Sequence, residues 1–259
     1  MGDAPLPAAI KHLGQNFLID PNIIRKIITL AELSLNDSVL EIGPGRGILT
    51  DALCQSAGRV TAIEIDPRLH AYLTERQTPF QNLTLVLGDA MTYPIEHLPL
   101  GTIVVANLPY YLSTPLLFRL LDQQHRFIRL VLMLQNEVAD RLVAKSGSSA
   151  YGVLSLMAQY SAEITKAFKV SPQCFRPRPD VDSAVVLLRT KDRFEQMREN
   201  KESSSQQSYE RPLRIAGRRW SIHYAIRDMI RNTSERHCQH FIYLLRYGQK
   251  TFLLRSSLP

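Results

Sequence analysis

Residues 39–47 of the chain form the stretch Val39-Leu40-Glu41-Ile42-Gly43-Pro44-Gly45-Arg46-Gly47. Its first four residues are typical of a buried strand, and a helical pattern begins directly after its last glycine. Glycine is used where the backbone must turn with positive φ, or where a ligand must approach without a Cβ in the way. The stretch therefore predicts a strand, a glycine-rich turn and a helix that together hold a nucleotide-like ligand.

The segments on both sides continue the same alternation. Buried strands are predicted at 38–42, 59–64, 83–87, 102–106 and 129–134. Helices are predicted from Asp20-Pro21 onward and at 48–56, 67–76, 114–122 and 137–144. This order implies an α/β fold with a mostly parallel sheet covered on both faces. A further strand at 184–189 follows a Pro-rich stretch rather than a helix, so we expect it to enter by a hairpin and lie antiparallel.

Two carboxylates follow the next strands. Glu64 ends the second strand, close to the ~20-residue distance at which a carboxylate accepts hydrogen bonds from ribose hydroxyls. Asp89 ends the third strand, where it can either accept a proton from an adenine amino group or cap the following turn. With the glycine turn they predict a nucleoside clamp. The glycine spacing is shorter than in dinucleotide sites, which favours S-adenosylmethionine as the cofactor.

Asn107-Leu108-Pro109-Tyr110 follows the fourth strand, at the edge where open α/β sheets hold ligands. Taken alone it could be an ordinary turn, because Asn and Pro are frequent turn residues. As a reactive motif it fits methylation of an exocyclic amino group, which is a poor nucleophile. The Asn107 side-chain carbonyl and a backbone carbonyl held by Pro109 can each accept one amino hydrogen. Tyr110 offers an aromatic face for a base taken out of its stack.

Six motifs follow one another along the chain. They are His12-Leu13-Gly14-Gln15-Asn16-Phe17-Leu18, Glu41-Ile42-Gly43-Pro44-Gly45, the pair Glu64 and Asp89, Asn107-Leu108-Pro109-Tyr110, Gln135-Asn136-Glu137-Val138-Ala139, and Phe175 through Val181-Asp182-Ser183-Ala184-Val185. In this order they resemble the ribosomal RNA adenine dimethyltransferases, specifically the branch that modifies the 3′-end hairpin of small-subunit ribosomal RNA. The resemblance extends from about Lys11 to Thr190.

The resemblance implies a Rossmann-like methyltransferase fold whose seven-stranded sheet has an antiparallel last strand. It implies transfer of methyl groups from S-adenosylmethionine to the N6 amino groups of adjacent adenines during ribosome biogenesis. The implied cofactor-binding residues are Gln15, Asn16, Leu18, Gly43, Gly45, Glu64, Asp89 and Asn107. The implied catalytic residues are Asn107, Pro109, Tyr110 and Phe175, the last as a second aromatic ring against the target adenine.

Charge divides the chain into two parts. Residues 1–190 contain 17 Lys and Arg against 17 Asp and Glu, whereas residues 191–259 contain 14 against 7 and carry the whole net charge of +7. We expect a catalytic domain over 1–190 and a basic C-terminal region over 191–259, with short helices near 220–231 and 240–247. That region is either a solvated terminus or a surface that follows a phosphate backbone. It does not match the small helical domain that related enzymes carry.

Several classes of protein are not expected. The apolar run at 130–134 is far short of a membrane span, and the N-terminus lacks the features of a signal peptide. The three cysteines are far apart and the histidines form no ligand-spaced pair, so neither a disulfide framework nor a metal site is indicated. We therefore expect a cytoplasmic, monomeric protein whose partner is ribosomal RNA of the immature small subunit.

Two other functions are compatible with these motifs. Relatives that methylate large-subunit ribosomal RNA share the clamp and the Asn-x-Pro-Tyr core, although the segment from Ala150 to Ser155 and the Pro-rich motif look more like the small-subunit branch. A second alternative is a non-catalytic RNA-binding assembly or transcription factor. The intact clamp and Asn107 favour catalysis over that alternative.

Overall fold

The computed structural model describes residues 6–10, 13–76 and 80–191. The helices in these ranges are α1 Pro21–Ala31, α2 Ile48–Ser56, α3 Pro67–Arg76, α4 Ser113–Asp122, α5 Asn136–Leu142 and α6 Val153–Ser161. The strands are β1 Phe17–Leu18, β2 Ser38–Ile42, β3 Arg59–Glu64, β4 Leu83–Leu87, β5 Thr102–Asn107, β6 Phe127–Gln135, β7 Ala162–Val170, β8 Phe175–Arg176 and β9 Ser183–Thr190. Lys11, His12 and the basic region after Lys191 lie outside the described residues.

A seven-stranded sheet organises the fold, in the order β4-β3-β2-β5-β6-β9-β7. The first five strands of this order are parallel, and β9 runs antiparallel to both β6 and β7. The predicted α/β fold with an antiparallel last strand is confirmed. From β2 the chain winds outward through β3 and β4 and then returns to β5 on the other side. Ligands bind at such a reversal, beyond the carboxyl ends of the strands.

Each face of the sheet has its own hydrophobic core. Leu40 and Val104 point to one face, which α4, α5 and α6 cover. Val39 and Val105 point to the other face, where they pack with residues of α1 and α2. Neighbouring residues alternate between the two cores because successive side chains of a strand point to opposite faces. The sheet is thus buried on both sides, as its long apolar strands predict.

Helix α1 shows how local sequence fixes an element. The Asp20 side chain accepts a hydrogen bond from the Asn22 N–H at 2.8 Å, and Pro21 occupies the first turn, where its missing N–H costs nothing. Ile23 and Ile27 are buried on one side of the helix. The helix therefore begins where the sequence predicts. None of the helices in the described ranges is long and apolar enough to cross a membrane.

Helix α6 and strand β7 were not predicted from the sequence, and neither were the two-residue strands β1 and β8. Helix α6 follows Gly152, and strand β7 follows α6 and pairs with β9 at the edge of the sheet. Glu163, Lys166 and Lys169 interrupt the apolar pattern of β7. An edge strand tolerates such charges because only one of its sides is paired and parts of it face water.

Candidate functional site

A cleft lies at the carboxyl ends of β2, β3, β4 and β5. It encloses about 1020 Å³ of space, part of which is open to solvent. Ten of the residues predicted for the site line it: Gln15, Asn16, Leu18, Gly43, Gly45, Glu64, Asp89, Asn107, Pro109 and Tyr110.

The glycine turn forms the floor of the cleft. Gly43 and Gly45 have φ values of 69° and 60°, a backbone conformation that side chains rarely adopt. A Cβ on Gly45 would lie 3.0 Å from Cδ1 of the Phe17 ring. That ring in turn lies beneath the Arg46 guanidinium, 4.4 Å from its carbon to the ring centre. The glycine is therefore required both by the turn and by the tight packing of the N-terminal motif.

Glu64 joins the turn to the end of β3. One carboxylate oxygen accepts a hydrogen bond from the Gly45 N–H at 3.1 Å, and the other accepts one from the Asp66 N–H at 2.8 Å. Burial raises the pKa of Glu64, and these two hydrogen bonds oppose that rise. Each carboxylate oxygen has a second acceptor position. The geometry is therefore compatible with the predicted contact to ribose hydroxyls.

Asp89 follows β4 on the neighbouring side of the cleft. Its Oδ1 accepts a hydrogen bond from the Met91 N–H at 2.8 Å, so the carboxylate closes the turn after the strand. This is the capping role considered from the sequence. The same side chain lines the cleft, and a carboxylate has acceptor capacity beyond one hydrogen bond. The capping role and the adenine-binding role are thus compatible.

Asn107 is fixed by the N-terminal motif. Its Nδ2 donates a hydrogen bond to the backbone carbonyl of Asn16 at 3.1 Å, across a wide separation in sequence. The next residue, Leu108, donates its N–H to the Met133 carbonyl at 3.0 Å. With its amide nitrogen bound to Asn16, the side chain keeps Oδ1 as the acceptor for a ligand. This orientation is the one that the predicted chemistry needs.

Gln15 reaches the cleft, but both ends of its amide are occupied by the protein. Its Oε1 accepts the Ile10 N–H at 2.7 Å and its Nε2 donates to Asp66 at 2.9 Å. Asp66 also binds Arg68, whose hydrogen bond lowers the pKa of that carboxyl to about 2. In this structure Gln15 therefore holds the segment before it against the rim of the cleft.

Phe175 lies in the core and not in the cleft. Its ring is fully buried in the core that contains Ile27 and Val185, and Phe175 is not among the residues that line the cleft. The cause is the short ribbon of β1 and β8, in which Phe175 pairs with Leu18. The structure therefore does not place Phe175 where the sequence predicts it, and its assignment as the second ring against the target base stays a prediction.

Of the other residues that line the cleft, Tyr111 and Glu41 bear on its chemistry and were not predicted for the site. The Tyr111 ring is 51% exposed there, and a Cβ on Gly14 would lie 3.2 Å from that ring. Glu41 is fully buried, and its Oε2 has no hydrogen-bond partner among the described residues. Burial raises the pKa of Glu41 to about 8. Glu41 lies inside a quoted motif and Tyr111 directly follows one, but neither motif assigned them a role.

Metal binding has no support in the part of the chain that is described. No three His, Cys, Asp or Glu side chains there are grouped so that they could hold an ion.

Comparisons with known proteins identify the family of this chain. A family model described as ribosomal RNA adenine dimethylase matches residues 8–204. The chain belongs to the ribosomal RNA adenine dimethylase family. A curated relative, ribosomal RNA small subunit methyltransferase A of Leuconostoc citreum, is 44% identical over 187 residues, which are 70% of this chain and 63% of the relative. The chain thus spans slightly less than two thirds of that relative's length.

Two solved structures of similar proteins are informative. A dimethyladenosine transferase from Plasmodium falciparum is 35% identical, with a TM-score of 0.62 over 68% of this chain and 64% of that one. The 23S rRNA methyltransferase ErmE is 27% identical, with a TM-score of 0.63 over 90% of both chains. Both similarities support membership of the family and the fold described above.

Proposed function

We propose that this protein transfers methyl groups from S-adenosylmethionine to the N6 amino groups of adenines in small-subunit ribosomal RNA, giving dimethyladenosine. The observation that carries the proposal is the meeting of Glu64, Asp89 and Asn107 around the glycine turn, at the reversal point of the sheet. The names of the small-subunit relative and of the dimethyladenosine transferase support the choice of substrate.

The residues of the cleft fit the proposed cofactor. Gly43 and Gly45 leave room for a close backbone approach, and Glu64 and Asp89 offer acceptors for ribose hydroxyls and an adenine amino group. Glu41, whose Oε2 has no partner among the described residues, lies in the same cleft, where a cationic ligand would compensate the cost of burying its charge. S-adenosylmethionine is such a ligand, and when bound it supplies an electrophilic methyl group on a positively charged sulfur.

Asn107 would activate the target amino group. Its Oδ1 and a backbone carbonyl of the Leu108-Pro109 unit would each accept one amino hydrogen, which directs the nitrogen lone pair away from the ring. Tyr110 and the half-exposed Tyr111 would hold the flat base, with Tyr111 taking the place first assigned to Phe175. Acceptors fixed before the reaction favour the transition state because they need no reorganisation.

A second candidate is methylation of large-subunit ribosomal RNA. It is favoured by one observation, the similarity to ErmE over 90% of both chains. We rank it below the small-subunit activity because the curated relative with the small-subunit name has the higher identity, 44% against 27%. The cleft described here serves either substrate, so the two candidates differ only in the RNA that is presented.

To test the proposal, the protein is incubated with labelled S-adenosylmethionine and either immature small ribosomal subunits or large-subunit RNA. We expect label in the small-subunit RNA alone, and no label with the Asn107→Ala variant. Label in the large-subunit RNA alone would favour the second candidate. Subunit binding without any incorporation would instead indicate an RNA-binding factor that has no methyltransferase activity.

A further inference from the structure

Tyr110 is held by a residue that lies behind the cleft. Its hydroxyl lies 2.6 Å from Oγ of Ser183, and this is a hydrogen bond between two side chains 73 positions apart. Ser183 is fully buried and is not among the residues that line the cleft. It begins β9, where its neighbours across the sheet are Gln135 on β6 and Val170 on β7. Ser183 therefore contacts Tyr110 from the rigid end of three paired strands.

The reactive loop is fixed at several points, and Ser183 provides the one that reaches the aromatic ring. Asn107 is tied to Asn16, and the Leu108 N–H is tied to the sheet through Met133. The Tyr110 backbone carbonyl accepts a hydrogen bond from the Ser113 hydroxyl at 3.0 Å. These contacts fix the backbone of the loop. The bond to Ser183 is the hydrogen bond that reaches the Tyr110 side chain among the described residues.

The hydroxyl and the aromatic ring of Tyr110 make different contributions. Burial raises the pKa of Tyr110, so its hydroxyl keeps its proton, and either hydroxyl of the pair can donate the hydrogen bond. A partly buried tyrosine hydroxyl needs a partner, because an unpaired one costs more than the bond itself contributes. A phenylalanine would offer the same aromatic face without this restraint. The hydroxyl of Tyr110 thus contributes orientation, and the ring contributes contact area.

We propose that Ser183 is a positioning residue for methyl transfer, which holds the Tyr110 ring in the orientation that receives the target base. This assignment rests on the proposed function. It also gives a role to the Val181-Asp182-Ser183 motif, which the cofactor clamp does not use. Through Ser183 the start of the last strand is coupled to the reactive loop after β5.

The test is a double-mutant cycle on the full chain, with Ser183→Ala, Tyr110→Phe and the pair combined. We expect each single change to lower kcat for RNA methylation about five- to tenfold, the loss of one hydrogen bond, with an unchanged KM for S-adenosylmethionine. The double variant should be no slower than the slower single variant, because both remove the same bond. A Tyr110→Ala variant should lose more than any of these, since it also removes the ring.

The matched control is Ser155→Ala. Ser155 is also fully buried and accepts a hydrogen bond from the Gly152 N–H, but it lies on α6 outside the cleft. We expect this variant to lose stability and keep the wild-type kcat. Full activity of Ser183→Ala beside an active wild type, or additive losses in the double variant, would overturn the assignment of Ser183 alone. A wild type that methylates no RNA would overturn the proposed function and this assignment together.

Discussion

Glu41 gives the most quantitative prediction about the protein without ligand. Its carboxyl is fully buried, its Oε2 has no partner among the described residues, and burial raises its pKa from the ordinary 4.5 to about 8. The folded protein therefore binds this proton more tightly than the unfolded chain does. The stability that the protonated Glu41 carboxyl contributes is therefore fully present below pH 4.5 and is lost as the pH rises through 8. The rise corresponds to at most about 5 kcal/mol, and relaxation around the charge would reduce it.

The prediction is tested with Glu41→Gln, which keeps the shape and cannot ionise. We expect similar free energies of unfolding for the two proteins near pH 4.5, and a variant more stable than wild type by about 2–5 kcal/mol above pH 8. Urea titrations of cofactor-free protein between pH 4.5 and 8.5 measure this difference. Glu75→Gln, at an exposed position on α3, is the control and should follow the wild type. If the free energies of unfolding of wild type and Glu41→Gln change in parallel with pH, the pKa of Glu41 is not raised in the folded protein.

Three further predictions concern binding and turnover. Glu64→Ala should weaken S-adenosylmethionine binding by about 1–3 kcal/mol, because ribose hydroxyls lose a charged acceptor; calorimetry with an unchanged affinity would show that Glu64 faces elsewhere. Tyr111→Ala should lower the rate of RNA methylation at least as much as Phe175→Leu, because leucine at position 175 still fills the core. A larger loss of rate in Phe175→Leu would indicate that Phe175 contacts the target base. A truncated chain ending at Thr190 should still bind the cofactor but bind ribosomal RNA more weakly and with a shallower salt dependence, since each phosphate contact contributes a slope of up to about −0.9. Equal slopes for the two chains would mean that the C-terminal region does not contact RNA.

Much of the sheet could be predicted because its strands are buried on both faces. The predicted bounds of β2, β3 and β4 coincide with those observed, and the helices α2 and α3 also begin and end at the predicted residues. Apolar runs bounded by turn residues are strong signals in such a sheet. The signal fails at the edge, where β7 carries charges along one partly exposed side and is unlike a buried strand.

The site could be predicted as a set of positions but not as a set of contacts. Seven of the ten predicted residues that line the cleft end or follow parallel strands, whose carboxyl ends meet there, and the other three come from the N-terminal motif. The direction of a side chain is decided by packing, which a motif does not record. Phe175 turns into the core because β8 pairs with β1, and Gln15 binds Asp66 because both lie at the same rim. Ser183 was part of a quoted motif, yet its contact with Tyr110 depends on the fold.

The most direct test of the account is nucleoside analysis of small-subunit ribosomal RNA after reaction with the protein and S-adenosylmethionine. We expect N6-dimethyladenosine in RNA treated with wild type and none in RNA treated with Asn107→Ala, whose circular dichroism should remain near that of wild type. Asn107 Oδ1 is the acceptor left for the substrate after Nδ2 binds Asn16, so its loss should stop the chemistry and spare the fold. Equal yields of dimethyladenosine from the two proteins would show that methyl transfer does not depend on Asn107.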